Sequence, residues 1–163
     1  MKTKPVAPVK ERPAPPGSAG EAHALDAQLR PGQSLELLKE LHILTRDGKL
    51  NQDSRRKLKQ VNHLYQFIEK ILRELTTQPG QALTLADHGA GKSYLGFILY
   101  DLYFKAAGVG HIYGVETRSD LVQRARELAQ RLGFARMSFL NQSVAEATAT
   151  ALRPPQIDEV TAH

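Results

Sequence analysis

The sequence predicts an α/β fold built on a parallel sheet, and three observations carry that expectation. From residue 82 onward, short apolar runs alternate with helical patterns. The first two runs, 82–87 and 111–116, each end in an acid, Asp87 and Glu116. Between them lies a glycine-rich stretch, "HGAGKS" at 88–93, opening into a helix. Strands alternating with helices of this length imply right-handed βαβ units.

The elements follow in order. Residues 1–33, rich in Pro, Ala and charge, read as a disordered tail. Residues 34–78 read as N-terminal helices. The first covers 34–45, capped by Ser34, with Leu35, Leu37, Leu38, Leu41 and Leu44 as its apolar side. The second runs from Asp53 to Thr76, with one stripe through Leu58, Val61, Leu64/Tyr65, Ile68, Ile71/Leu72 and Leu75. Residues 79–163 read as the α/β unit. Its expected strands are 82–87, 111–116 and 136–142, with a fourth at "QIDEVTAH" (156–163), so the sheet is an incomplete one of about four strands. Its helices are 92–108, ended by Gly108, and a segment from Ser119 to Gly133. A short helix or turn follows Ser143.

Composition narrows the function classes. At 163 residues, 41% hydrophobic and 24% charged, the chain suits one soluble domain. It has no cysteine, which removes disulfides and thiolate chemistry. The six His show no metal-ligand spacing. No apolar run is long enough to span a membrane and no secretory signal is visible, so a cytoplasmic location is expected. Residues 79–163 carry eight Lys/Arg and eight Asp/Glu, so the net charge of +5 resides in residues 1–78. The cluster Arg55, Arg56, Lys57 and Lys59 would suit an acidic partner such as RNA, or simply a solvated helix face.

The loop "LADHGAGKSYLG" (85–96) admits three readings. As a phosphate loop, Lys92 would meet phosphates and Ser93 a magnesium ion, but Asp87 would then stand beside a polyphosphate. As a dinucleotide loop, Gly89 and Gly91 fit, but Tyr94 stands where the third glycine belongs. A ligand without phosphates and with an ammonium explains the acids instead. Asp87 can then face the ammonium, Gly89 and Gly91 let the backbone approach, and Glu116 can accept both ribose hydroxyls.

On "ADHGAGKSYLGFILY" together with "YGVE" (113–116), the chain resembles the class I S-adenosylmethionine-dependent methyltransferases, in the branch related to rRNA adenine dimethylases. The resemblance covers roughly residues 55–163. It implies a Rossmann-like sheet, S-adenosyl-L-methionine as cofactor, and a cofactor site of Asp87, His88, Gly89, Gly91, Glu116, Asn141, Gln142 and Ser143. The branch often carries Gly where Ser93 stands. Lys92 is expected to point to solvent and Ser93 to help cap the helix.

In the family resembled, the residues that hold the methyl acceptor lie at the end of the fourth strand and beyond. The chain is therefore expected to be an N-terminal portion with most of a cofactor site and little of an acceptor site, its catalytic residues unknown, inactive alone, and exposing a sheet edge for self-association. The acceptor is open, RNA among the candidates. A phosphate-loop nucleotide-binding protein and a catalytically silent binding module remain alternatives.

Overall fold

A computed structural model describes Leu25 and residues 27–147. Its elements are α1 (Leu35–Glu40), α2 (Gln52–Leu75), β1 (Thr84–His88), α3, β2 (His111–Glu116), α4 (Ser119–Arg131) and β3 (Met137–Asn141). Helix α3 spans 94–107: it begins as Tyr94–Leu99, widens into a π-helical turn at Tyr100–Phe104 and ends as Lys105–Ala107. The expected fourth strand and most of the expected tail lie outside the described residues.

The three strands are parallel, in the order β1-β2-β3. Two right-handed crossovers progressing in one direction put α3 and α4 on the same face. The register sets residues in rows across the sheet: Leu85, Ile112 and Met137, then Asp87, Gly114 and Phe139, then Glu116 and Asn141. Side chains alternate along a strand, so these rows share the face that bears the helices.

The core lies between that face and the helices. Phe97 packs on Phe139 and Phe134, and Tyr100 stacks on Phe134 with ring centroids 4.5 Å apart. Helix α4 ends where the backbone of Gly133 turns left-handed. Phe134 N–H donates to the Ala129 carbonyl and Gly133 N–H to that of Gln130, the paired bonds of a Schellman cap. Two arginines sew helices to strands. The Arg126 guanidinium donates twice to the Phe139 carbonyl. Arg136 donates to the Phe104 and Gly110 carbonyls, where a cation favours the end of α3.

The N-terminal helices differ from expectation in two ways. Helix α1 stops at Glu40, because His42 turns left-handed and closes a second Schellman cap that buries Ile43 against Leu38. Helix α2 is capped by Asn51, whose side chain accepts the Ser54 N–H, yet only half of its stripe is covered. Leu58, Tyr65 and Leu72 are buried, whereas Leu64, Ile71 and Leu75 are exposed and Phe67 is 70% exposed. Within the span read as tail, Leu25 and Leu29 pack against the core, and Arg30 lies over the Tyr65 ring at 4.7 Å.

A buried carboxylate joins the N-terminal layer to the sheet domain. Asp101, in the π turn, accepts the Ser34 backbone N–H at 2.7 Å and pairs with Lys105. Removing it strands the donor at the start of α1. Asp101→Ala should therefore lower stability by about 2 kcal/mol, read from the urea midpoint at unchanged slope.

Candidate functional site

The site grows from the turn between β1 and α3. Gly89 and Gly91 both take left-handed backbone, with φ of +68° and +57°. A side chain on Gly89 would meet nothing within 4 Å, so the outer surface of the loop is open. The inner surface is tied down. Ala90 N–H donates to the Val115 carbonyl at 3.0 Å, Gly91 N–H to Glu116 Oε2 at 2.8 Å, and Ser93 N–H to the Ala90 carbonyl at 2.7 Å. A phosphate loop works by aiming such amides at an anion. Here three of them are spent inside the protein, and Ser93, only 1% exposed, cannot reach a metal ion. That geometry removes the basis of the phosphate-loop reading.

Ser93 corrects an expectation. It occupies the cap position of α3, but its side chain makes no capping bond. Its backbone is left-handed, φ +54°, and its Oγ is buried between Gly96 and Gly114 with no partner. A Cβ on those glycines would stand 2.8 and 3.4 Å from that oxygen, so helix and strand meet closely only because both lack side chains. These two packing glycines went unread, although "YLGF" and "IYGV" place them inside apolar runs where glycine needs a reason. Lys92 is exposed, as expected, and makes no ion pair among the described residues.

The two acids behave oppositely. Glu116 is 8% exposed, and five donors reach its carboxylate. Oε1 accepts the Arg118 backbone N–H (3.0 Å), Arg118 Nε (3.1 Å) and the Thr117 hydroxyl (3.3 Å). Oε2 accepts Gly91 N–H and Arg118 Nη2 (3.3 Å). Hydrogen bonds from the Arg118 guanidinium, then from backbone N–H groups, hold the Glu116 pKa down to about 2. Asp87 is half-buried, and its carboxylate makes no hydrogen bond or ion pair with any described residue. Burial pushes its carboxyl above the usual range, with His88 beside it acting weakly the other way. His88 itself is exposed at the end of β1.

The residues after β3 divide. Asn141 Nδ2 donates to the Glu116 and Thr117 carbonyls at 3.1 and 2.8 Å, fixing the end of β2. Gln142 N–H donates to the Glu116 carbonyl, while its Oε1 is buried without a partner. Ser143 is committed to local structure. Its N–H and Oγ both donate to Glu146 Oε2 at 2.8 Å, and Glu146 N–H donates back at 3.3 Å, a capping box. The tyrosines have structural duties or lie at the rim: Tyr65 donates to the Leu102 carbonyl, Tyr103 bonds Thr76, and Tyr94 is exposed.

Two cavities of about 580 and 520 Å³ flank Tyr94, and neither is lined by Asp87 or Glu116. The candidate residues instead form the carboxyl edge of the sheet, where ligands bind in open α/β sheets. The basic residues Arg55, Arg56 and Lys59 are exposed in the first turns of α2, and Lys57 pairs with Asp53.

A family model described as a methyltransferase domain matches residues 56–163, more than half of the chain. A solved SAM dependent methyltransferase from Aquifex aeolicus is 25% identical over 46% of this chain and 37% of its own, with a TM-score of 0.33. A putative protein-L-isoaspartate O-methyltransferase from Plasmodium falciparum, in complex with S-adenosyl-L-homocysteine, is 17% identical over 71% and 64%, with a TM-score of 0.37. The chain thus spans less than two thirds of the length of either. No curated protein matches it.

Two outcomes follow from this geometry. Ser93→Gly should stabilise the fold by about 1 kcal/mol, because relief of a left-handed backbone and of an orphaned hydroxyl outweighs glycine's entropy. A lower urea midpoint would contradict it. The second concerns acid. Because the folded pKa of Glu116 lies below its unfolded value, its stabilising contribution is present above pH 4.5 and is lost as pH falls toward 2. Wild type should lose stability more steeply than Glu116→Gln across that window, followed by circular dichroism during urea titrations.

Proposed function

This chain belongs to the methyltransferase-domain family, and on that premise we propose that it binds S-adenosylmethionine at the carboxyl edge of its sheet as a class I methyltransferase. The observation that carries the reading is the pair of acids at adjacent strand ends. Asp87 is a half-buried carboxylate without a hydrogen-bond partner among the described residues, and a cation beside it would offset the cost of its burial. That suits the ammonium of the methionine end. Glu116, ionised and oriented, suits a vicinal diol. The orphaned Gln142 Oε1, next in chain after β3, suits an exocyclic amine of adenine. Gly89 leaves the loop open to close approach.

When bound, the cofactor supplies a methyl group on a sulfonium, which an acceptor attacks directly. The protein's task is then to orient the two partners and exclude water. Kinship with the relatives of rRNA adenine dimethylases is part of this proposal and rests on the form of the loop. An RNA acceptor is the corresponding proposal for the other partner, favoured by the exposed Arg55, Arg56 and Lys59 on α2, which form no ion pair among the described residues.

Thermal-shift titration tests the reading. S-adenosylhomocysteine should raise Tm by mass action on the folded state, and magnesium-ATP should not. Asp87→Ala and Glu116→Ala should each weaken binding by about 1–3 kcal/mol through lost charged hydrogen bonds, with Lys92→Ala near wild type. Stabilisation by magnesium-ATP alone, abolished by Lys92→Ala, would overturn the assignment.

A further inference from the structure

We propose that Arg118 is a built-in competitor for the cofactor: its guanidinium occupies the two carboxylate oxygens of Glu116 that the ribose diol requires. The inference rests on the reading of Glu116 as the ribose acceptor and adds a residue that sets the affinity of that site.

The argument starts from acceptor capacity. An ionised carboxylate offers about four lone-pair sites. Five donors already reach Glu116: two from the Arg118 guanidinium, one from its backbone N–H, one from Gly91 and one from Thr117. No room remains for two hydroxyl donors while all five stay. The backbone donors of Gly91 and Arg118 are fixed by the loop and by the start of α4. The Thr117 hydroxyl and the guanidinium are side-chain donors that can leave, and the guanidinium alone frees both oxygens. Its side chain is 63% exposed, whereas that of Glu116 is 9% exposed.

Shape supports competition as well as capacity. Arg118 contacts Glu116 through Nε on one oxygen (3.1 Å) and Nη2 on the other (3.3 Å), a two-pronged fork. A vicinal diol offers the same two-donor pattern. Nη2 also stands 3.6 Å from where a Cβ on Gly91 would lie, so the guanidinium fills the space that this glycine leaves open. A second partner is available when the fork lets go. Asp120, in the first turn of α4, attracts the same guanidinium. Opening thus requires rotation of one exposed side chain, with the backbone N–H of Arg118 left on Glu116.

The consequence is a site whose acceptor is kept ionised and aligned before ligand arrives, at the expense of affinity. An ion pair whose arginine side is open to solvent contributes modestly, so the competition should be correspondingly modest. Isothermal titration of the full chain with S-adenosylhomocysteine measures it. Arg118→Ala should lower Kd roughly two- to fivefold. Arg118→Gln, which keeps the bulk but loses the charge, should do the same and covers the case in which the alanine variant fails to fold. In a Glu116→Gln background, Arg118→Ala should bring no gain, since the contested acceptor has been weakened. The Tm of the ligand-free Arg118 variants should fall or hold while their shift on adding S-adenosylhomocysteine grows. Equal or weaker binding by both Arg118 variants, with wild type binding normally, would overturn the competition, and weaker binding would make Arg118 a cofactor-holding residue. Failure of wild type and variants alike to bind would overturn the methyl-donor reading itself.

Discussion

The bond from Gly91 N–H to the Glu116 carboxylate fixes the site on which everything else depends. It joins the loop after β1 to the end of β2, so it sets both where the loop runs and where α3 begins. A buried carboxylate without partners would cost several kcal/mol and would protonate instead. Glu116 avoids that with donors on both oxygens, which is why its pKa is depressed despite burial. The loop gains in turn, because an amide turned inward has an acceptor. Asn141 completes the arrangement from β3, gripping the carbonyls of Glu116 and Thr117. Three strand ends are thereby held in one frame by polar contacts, above a core that is almost wholly apolar.

Much of this was legible in the sequence, for reasons that differ by element. Strand β2 was read to the residue, because a run buried on both faces and closed by an acid has few alternatives. Helix α4 was framed correctly by its C-terminal glycine. What periodicity could not give is the identity of the packing partner. The stripe on α2 is continuous in sequence, yet Leu64, Ile71 and Leu75 are uncovered among the described residues while Leu58, Tyr65 and Leu72 are buried. A 3.6-residue repeat states that a face is apolar and says nothing of what lies against it. The early end of α1 was equally hidden, since a left-handed His42 carries no glycine to announce it.

The candidate site was legible where chemistry sits at strand ends and illegible where it depends on rotamers. Asp87 and Glu116 could be named because an acid closing an apolar run at this place has a reason to exist. The double engagement of Glu116 by Arg118 depends on a side chain folding back two residues, which no spacing rule encodes. Ser143, expected at the cofactor, also opens Ser-x-x-Glu at 143–146, the signature of a capping box, and that local role accounts for its hydrogen bonds.

The costs left in the fold collect at that same edge. Of the four buried side-chain atoms without a partner among the described residues, Ser93 Oγ and Gln142 Oε1 belong to the loop and to the end of β3. Among the described residues, Ser93 also carries one of two left-handed non-glycine backbones, and the Asp87 carboxyl, its pKa raised by burial, makes no hydrogen bond. A fold selected for stability alone would remove such groups, and natural chains retain them chiefly where a ligand completes them. The two acids divide this work. Glu116 is satisfied in advance and keeps its geometry. Asp87 is left without a side-chain partner among the described residues, and a cation arriving beside it would relieve that electrostatic cost. A site built this way favours a ligand carrying a positive centre near β1 and hydroxyl donors near β2, and disfavours one that brings a polyphosphate to Asp87.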